Sequence, residues 1–189
     1  MNGESMDMLA DDVGGDDHVS GAPGALVTLV EYADFECLHC GRAYPVLADL
    51  RASMAGTLRF VFRHFPLGWE HPHAHDAALA AAAAARQGDD RFWAMHAQMF
   101  EHQDRLDRDA LRGYARAIGL DLARYAADIA DPAVEARVQR DMETGRASGV
   151  RGTPTFFVNG VRHHAAWDLD GLRDALRAAA GPTARAARR

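Results

Sequence analysis

The sequence predicts an α/β domain whose chain is interrupted by an all-helical stretch, and three observations lead there. Leu26, Val27, Leu29 and Val30 make a nearly continuous apolar run, the pattern of a strand covered on both faces. From about Pro66 to Gly149 apolar residues repeat only at helical spacing. Strand character then returns at Thr155 to Val158, so the helical stretch reads as an insertion into a sheet domain.

Taken in order, residues 1–23 are acidic and Gly-rich without hydrophobic period, and are expected to form a mobile leader. The sheet domain is expected over 24–65 and 140–180. Its first strand ends in Glu31 and Tyr32, and after Cys37 the positions Tyr44, Leu47 and Leu50 keep helical spacing, with a kink expected at Pro45. Leu58, Phe60 and Phe62 alternate with Arg59, Val61 and Arg63, which predicts a strand with one more polar face and completes a β-α-β unit. Within the insert, 66–139, one helical face carries Phe92, His96, Met99 and Phe100, another Leu111, Tyr114, Ala115 and Ile118, a third Leu122, Tyr125, Ala126 and Ile129. Asp121 and Asp131 stand where helix N-caps belong, with Pro132 at a first helical position. Asn159-Gly160 predicts a hairpin turn, Asp168 caps a last helix through Leu169, Leu172 and Leu176, and 181–189 form a loose Arg-rich tail.

A chain of 189 residues can bury a full core without a disulfide staple. Its net charge of −6 argues against general binding to phosphate backbones or anionic membrane surfaces, so neither nucleic acid nor membrane is an expected partner. All 21 basic residues are Arg; together with the Ala-rich runs this reads as compositional bias and carries no function. The longest apolar run, Ala77 to Ala85, is nine residues and falls well short of a membrane span. The first twenty residues hold Glu4, Asp7, Asp11, Asp12, Asp16 and Asp17 and no basic residue, unlike a signal peptide, so a cytoplasmic location is expected, or a periplasmic one if a signal was removed.

The chemistry centres on Cys37-Leu38-His39-Cys40, which holds the chain's two cysteines between a buried strand and a helix. Two cysteines at this spacing can close a small disulfide ring, and the first lies among the unpaired N–H groups of the helix start, which favour a thiolate. An ordinary thiol, with a pKa of ~8.5, is only slightly ionised at neutral pH, so this placement matters for reactivity. His39 can add a positive or hydrogen-bonding group near the Cys37 sulfur, and a stabilised thiolate makes the disulfide more oxidising. A structural zinc site, recruiting histidines from elsewhere, and a pair of inert cysteines are the alternatives.

With that motif on a strand-to-helix junction, and with Arg151-Gly-Thr-Pro-Thr-Phe-Phe-Val158 later in the chain, residues 24–180 resemble the DsbA-like (FrnE-like) branch of the thioredoxin superfamily. The resemblance implies a thioredoxin-like fold with an inserted all-helical subdomain, with Cys37 as nucleophile and Cys40 as resolving thiol. It implies a cis Pro154 after Thr153, both serving substrate binding, and Glu31 as a buried acidic residue that manages protons. A strand-end Glu in water is the plain alternative for Glu31. The implied activity is protein disulfide oxidoreductase or isomerase chemistry, without cofactor or bound metal. The partners would be protein or peptide thiols and disulfides, or glutathione, with a separate redox partner, and the chain is expected as a monomer. The alternatives are a glutathione-linked reductase or transferase on the same fold, and a non-redox peptide- or metal-binding module. Leu38 departs from the family's CPHC pattern, and Thr153 stands where residue type influences redox behaviour, so the direction of catalysis is left open.

Two further features invite readings. The run His71-Pro72-His73-Ala74-His75, with His64 nearby, suggests a metal site, but alternate residues leaving a helix start do not converge naturally on one ion, so packing is favoured. Phe65, Pro66, Leu67 and Trp69 read equally as core or as the border of an apolar substrate groove.

Overall fold

The computed structural model describes residues 7–181. In chain order these form β1 (His18–Ser20), β2 (Val27–Ala33), α1 (Leu38–Ser53), β3 (Leu58–His64), α2 (Ala74–Ala85), α3 (Asp89–Glu101), α4 (Arg108–Ala117), α5 (Leu122–Ile129), α6 (Pro132–Ala147), β4 (Thr155–Val158), β5 (Val161–Arg162) and α7 (Leu169–Ala179). The strands make one sheet in the order β1-β3-β2-β4-β5. The chain divides into two compact units, one built from the segment ending at Tyr32, from Arg42–Arg63 and from Thr144 onward, the other from Ala33–Gly41 and His64–Glu143. The helical unit therefore takes in, besides His64–Glu143, the segment Ala33–Gly41 that carries both cysteines.

In the first unit β2 pairs antiparallel with β4, setting Glu31 opposite Phe156 and Tyr32 opposite Thr155. The β4–β5 hairpin turns at Asn159 and Gly160, whose φ values of 49° and 81° are those an Asn-Gly turn provides without strain. Leu29, Tyr32, Phe60, Phe62, Phe157, Leu50, Leu172 and Leu176 are all buried, and they form the core of this unit from both β-strands and helices. Asp168 caps α7 by accepting a hydrogen bond from Gly171 N at 2.8 Å.

One expectation is corrected here. The more polar face predicted for β3 carries Arg59 and Arg63, and Arg63 is only 2% exposed. Its guanidinium donates to both carboxylate oxygens of Asp17 (2.8 and 2.9 Å), to the Tyr32 hydroxyl (2.9 Å) and to the carbonyls of Asp11 and Asp12 (3.0 and 3.1 Å). Burial would lower the Arg63 pKa, but the bonds to Asp17 and Tyr32 outweigh it and raise it further. The described part of the expected leader is accordingly built into the sheet: β1 pairs antiparallel with β3, His18 opposite Phe62, and Met8 bridges Val161. A periodicity reading misses this because the segment is anchored by buried charge rather than by an apolar repeat. Residues 1–6, and 182–189 of the expected tail, lie outside the described residues.

In the helical unit the run read as compositional bias is α2, and Ala74, Ala77, Ala78, Leu79 and Ala80 to Ala84 are buried along it. It packs against α3, α4 and α5. Side chains this small let neighbouring helices approach closely, and Ala costs least to place in a helix. Asp121 caps α5 through Ala123 N and Arg124 N, and Asp131 accepts Ala133 N at the start of α6. Asp107, which the sequence reading passed over, caps α4 through Asp109 N and Ala110 N. No helix among the described residues is long and apolar enough to cross a membrane.

The Arg63 cluster gives a direct stability test. Asp17→Ala leaves a buried guanidinium short of its carboxylate and should cost about 3 kcal/mol in urea unfolding. Replacing Arg63 by Met in the same chain should recover part of that loss, since an apolar side chain needs no partner.

Candidate active site

Cys37 ends the loop after β2 and immediately precedes α1. Its carbonyl accepts Gly41 N at 3.1 Å, the first bond of that helix, which makes Cys37 its N-cap. Cys40 lies in the first turn. Both are thiols, and Cys37 keeps 5% of its surface exposed against none for Cys40. The first turn of α1 carries no acidic residue, so the positive end of its dipole is not neutralised there.

The loop before Cys37 is fixed by polar side chains of the helical unit. Asp34 has a fully buried side chain; it accepts Glu36 N and Leu67 N at 2.8 Å each, and its Oδ2 lies 2.7 Å from His71 Nδ1. The Asp34 carbonyl accepts Cys37 N at 3.2 Å, closing the turn on the cysteine itself. Glu36 accepts His73 N at 2.6 Å, and Gln103 donates from Nε2 to the carbonyls of Phe35 and Cys37 at 2.7 and 3.0 Å. Burial pulls the His71 pKa down, but the Asp34 hydrogen bond and charge, aided by the charges of Cys37 and Glu36, outweigh it and leave it above its ordinary value.

A family model described as thioredoxin matches residues 14–178, most of the chain. The chain belongs to the thioredoxin family. Its fold is the DsbA-like variant, a thioredoxin-like α/β sheet domain with a helical insertion. It is similar to BdbD from Bacillus subtilis in its oxidised crystal structure, with TM-score 0.80 and 20% identity over 92% of this chain and 98% of that one, a likeness of fold. It is similar to a thioredoxin-like oxidoreductase from Silicibacter pomeroyi DSS-3, with TM-score 0.77 and 27% identity over 94% and 97% of the two chains. In sequence it is 45% identical over 163 residues to Na(+)/H(+) antiporter NhaA 3 of Salinispora tropica, covering 86% of this chain and 24% of the antiporter. The chain thus spans about a quarter of the length of the curated relatives it matches.

Within the thioredoxin fold the residues singled out from the sequence fall as follows. Cys37 and Cys40 share one helical turn, and His39 between them is exposed. Glu31 is 1% exposed in the interior of β2, not a strand-end carboxylate in water. Its charge acts on Arg51, whose pKa burial lowers while Tyr44 and Glu31 oppose that shift. The Thr153–Pro154 peptide bond is cis, and Thr155 Oγ1 donates to the Gly152 carbonyl at 2.7 Å beside it. Phe65, Pro66 and Leu67 are buried whereas Trp69 is exposed. The histidine run does not act as one set: His71 goes to Asp34, His75 to Glu135 at 2.9 Å. Sequence reasoning missed Asp34, Glu36 and Gln103, although two carboxylates in the three residues before Cys37 were a visible signal.

Gly41 is the tightest point of this arrangement, since a Cβ there would overlap the Gln103 carboxamide. Gly41→Ala should therefore push Gln103 off the Phe35 and Cys37 carbonyls and cost ~1–2 kcal/mol in thermal or urea unfolding. In a Gln103→Ala background the same substitution should be nearly neutral, and this non-additivity is what a double-mutant cycle reads.

Proposed function

We propose that this chain is a thiol–disulfide exchange enzyme acting on protein or peptide substrates, with Cys37 as nucleophile and Cys40 as resolving thiol. The observation that carries the reading is the placement of a barely exposed thiol at the N-cap of α1 with a second, fully buried thiol one turn into the same helix. In the reducing direction the Cys37 thiolate attacks one sulfur of a substrate disulfide, expelling the other as a thiolate and leaving a mixed disulfide. Cys40, as thiolate, then attacks the Cys37 sulfur, releases the second substrate thiol and closes the Cys37–Cys40 disulfide; two electrons pass to the substrate and two protons follow. Run in reverse, the same steps oxidise a substrate dithiol. A helix dipole without a carboxylate in its first turn favours the reduced, thiolate-bearing form, which supports the oxidising direction. The family resemblance adds Glu31 for proton handling and Thr153 and Pro154 for the substrate backbone. Ion transport is a property of the whole antiporters, of which the match covers about a quarter.

The test is the equilibrium of the cysteine pair against graded reduced and oxidised glutathione, acid-trapped, alkylated and read by mass. A reversible two-electron transition is expected, nearer to about −120 mV than to about −270 mV. Cys37→Ser should abolish exchange with a peptide disulfide, and Cys40→Ser should accumulate the mixed disulfide. Absence of a reversible Cys37–Cys40 disulfide would overturn the reading, and saturable dependence on glutathione would assign the chain to glutathione-linked chemistry instead.

A further inference from the structure

The histidine that opens the insert is more than part of a helix start. His71 is bound through Nδ1 to a carboxylate with no exposed surface, and that residue also holds the Cys37 amide through its carbonyl and the Glu36 and Leu67 amides through its side chain. One residue therefore fixes both the imidazole ring and the turn that presents the sulfur. We infer that the His71–Asp34 pair is the charged support of Cys37: Asp34 fixes the ring, and the imidazolium stabilises the sulfur anion that Cys37 carries before each attack.

His71 acts through the field it exerts on Cys37 and is a positioning residue rather than a catalytic one; no proton leaves the ring in the exchange steps. The groups that set its charge are Asp34, Glu36 and Cys37. Its chain neighbour Glu70 is engaged by Trp69 Nε1 at 3.3 Å, and Glu36 by His73 N. The coupling is reciprocal by necessity: if the Cys37 anion favours protonated His71, protonated His71 favours the anion by the same amount. The side chain is 21% exposed, so the ring can be replaced without opening the core, unlike Asp34. The inference deepens the dithiol-exchange reading and rests on it for its use.

Two measurements on the protein itself test it. The His71 ring titration, followed by NMR, is compared in the Cys40→Ser protein, where no second thiol can expel the cap, between free Cys37 and Cys37 capped as a neutral methyl disulfide; the capped form should titrate lower by ~0.5 unit or more. The iodoacetamide reaction of Cys37, followed by mass across pH, should show its ionisation midpoint moving up in His71→Gln, with the rate at pH ~6 falling ~3-fold. A purely structural His71 would lower the unfolding temperature and leave both titrations where they were, and that result overturns the inference. If His71→Gln does not fold, the capped-against-free comparison, which keeps His71, decides alone. Neither readout needs exchange activity, so a chain that passes both and yet forms no reversible disulfide refutes the enzyme reading and not the electrostatic one.

Discussion

Asp34 is the constraint on which the position of the dithiol depends. A carboxylate without solvent must have its lone pairs used, because leaving one unpaired costs more than any single contact returns. Asp34 meets this by accepting from Glu36 N, Leu67 N and His71 Nδ1, all between 2.7 and 2.8 Å. Those donors come from its own turn and from the segment leading into α2, so the loop of Cys37 takes its place from the helical unit. The start of α1 follows, since the turn that Asp34 closes on Cys37 N is the one from which the helix departs.

The same rule recurs at two other buried charges, Asp141 and Arg63. Asp141 is 2% exposed; it accepts His64 N at 3.0 Å and pairs with Arg137, fixing the exit of β3 within the helical unit. Arg63, one residue earlier, draws in Asp17 and the carbonyls of Asp11 and Asp12 in the sheet unit. Removing one partner of such a set is costly although the intact pair contributes little net stability, because the penalty belongs to the charge left behind. These sites therefore specify where segments lie more than they hold the fold together.

Legibility in the sequence divides along the same line. Helices announced by local chemistry were readable: Asp121 and Asp168 cap where their side chains bond two or three residues onward, and the Asn159-Gly160 turn follows from left-handed backbone. The buried strands β2 and β4 were readable from continuous apolar runs, and the cysteine pair from its spacing. What stayed hidden depends on residues far apart in sequence. Nothing local to Arg63 says that it meets Asp17, 46 residues away, or local to Asp34 that it meets His71, 37 residues on. The Ala run failed for another reason: from Ala77 to Ala84 every residue is buried and none is polar, so the lack of amphipathic pattern there reads as composition instead of core.

At Cys37 the hidden contacts change the sign of a local argument. By spacing alone, Asp34 and Glu36 place two negative charges within three residues of the sulfur and should oppose a thiolate there. In the fold each is engaged: Asp34 by two amides and an imidazole, Glu36 by His73 N. Their charge is spread into N–H groups that the same carboxylates hold in place, and one of those donors, His71, is itself ionisable. On the role inferred for His71, the acidic pair is the mount for a positive group rather than a competitor of the anion. A carboxylate next to a reactive cysteine cannot be read as activating or suppressing until its hydrogen-bond partners are known, and here those partners lie in the insert.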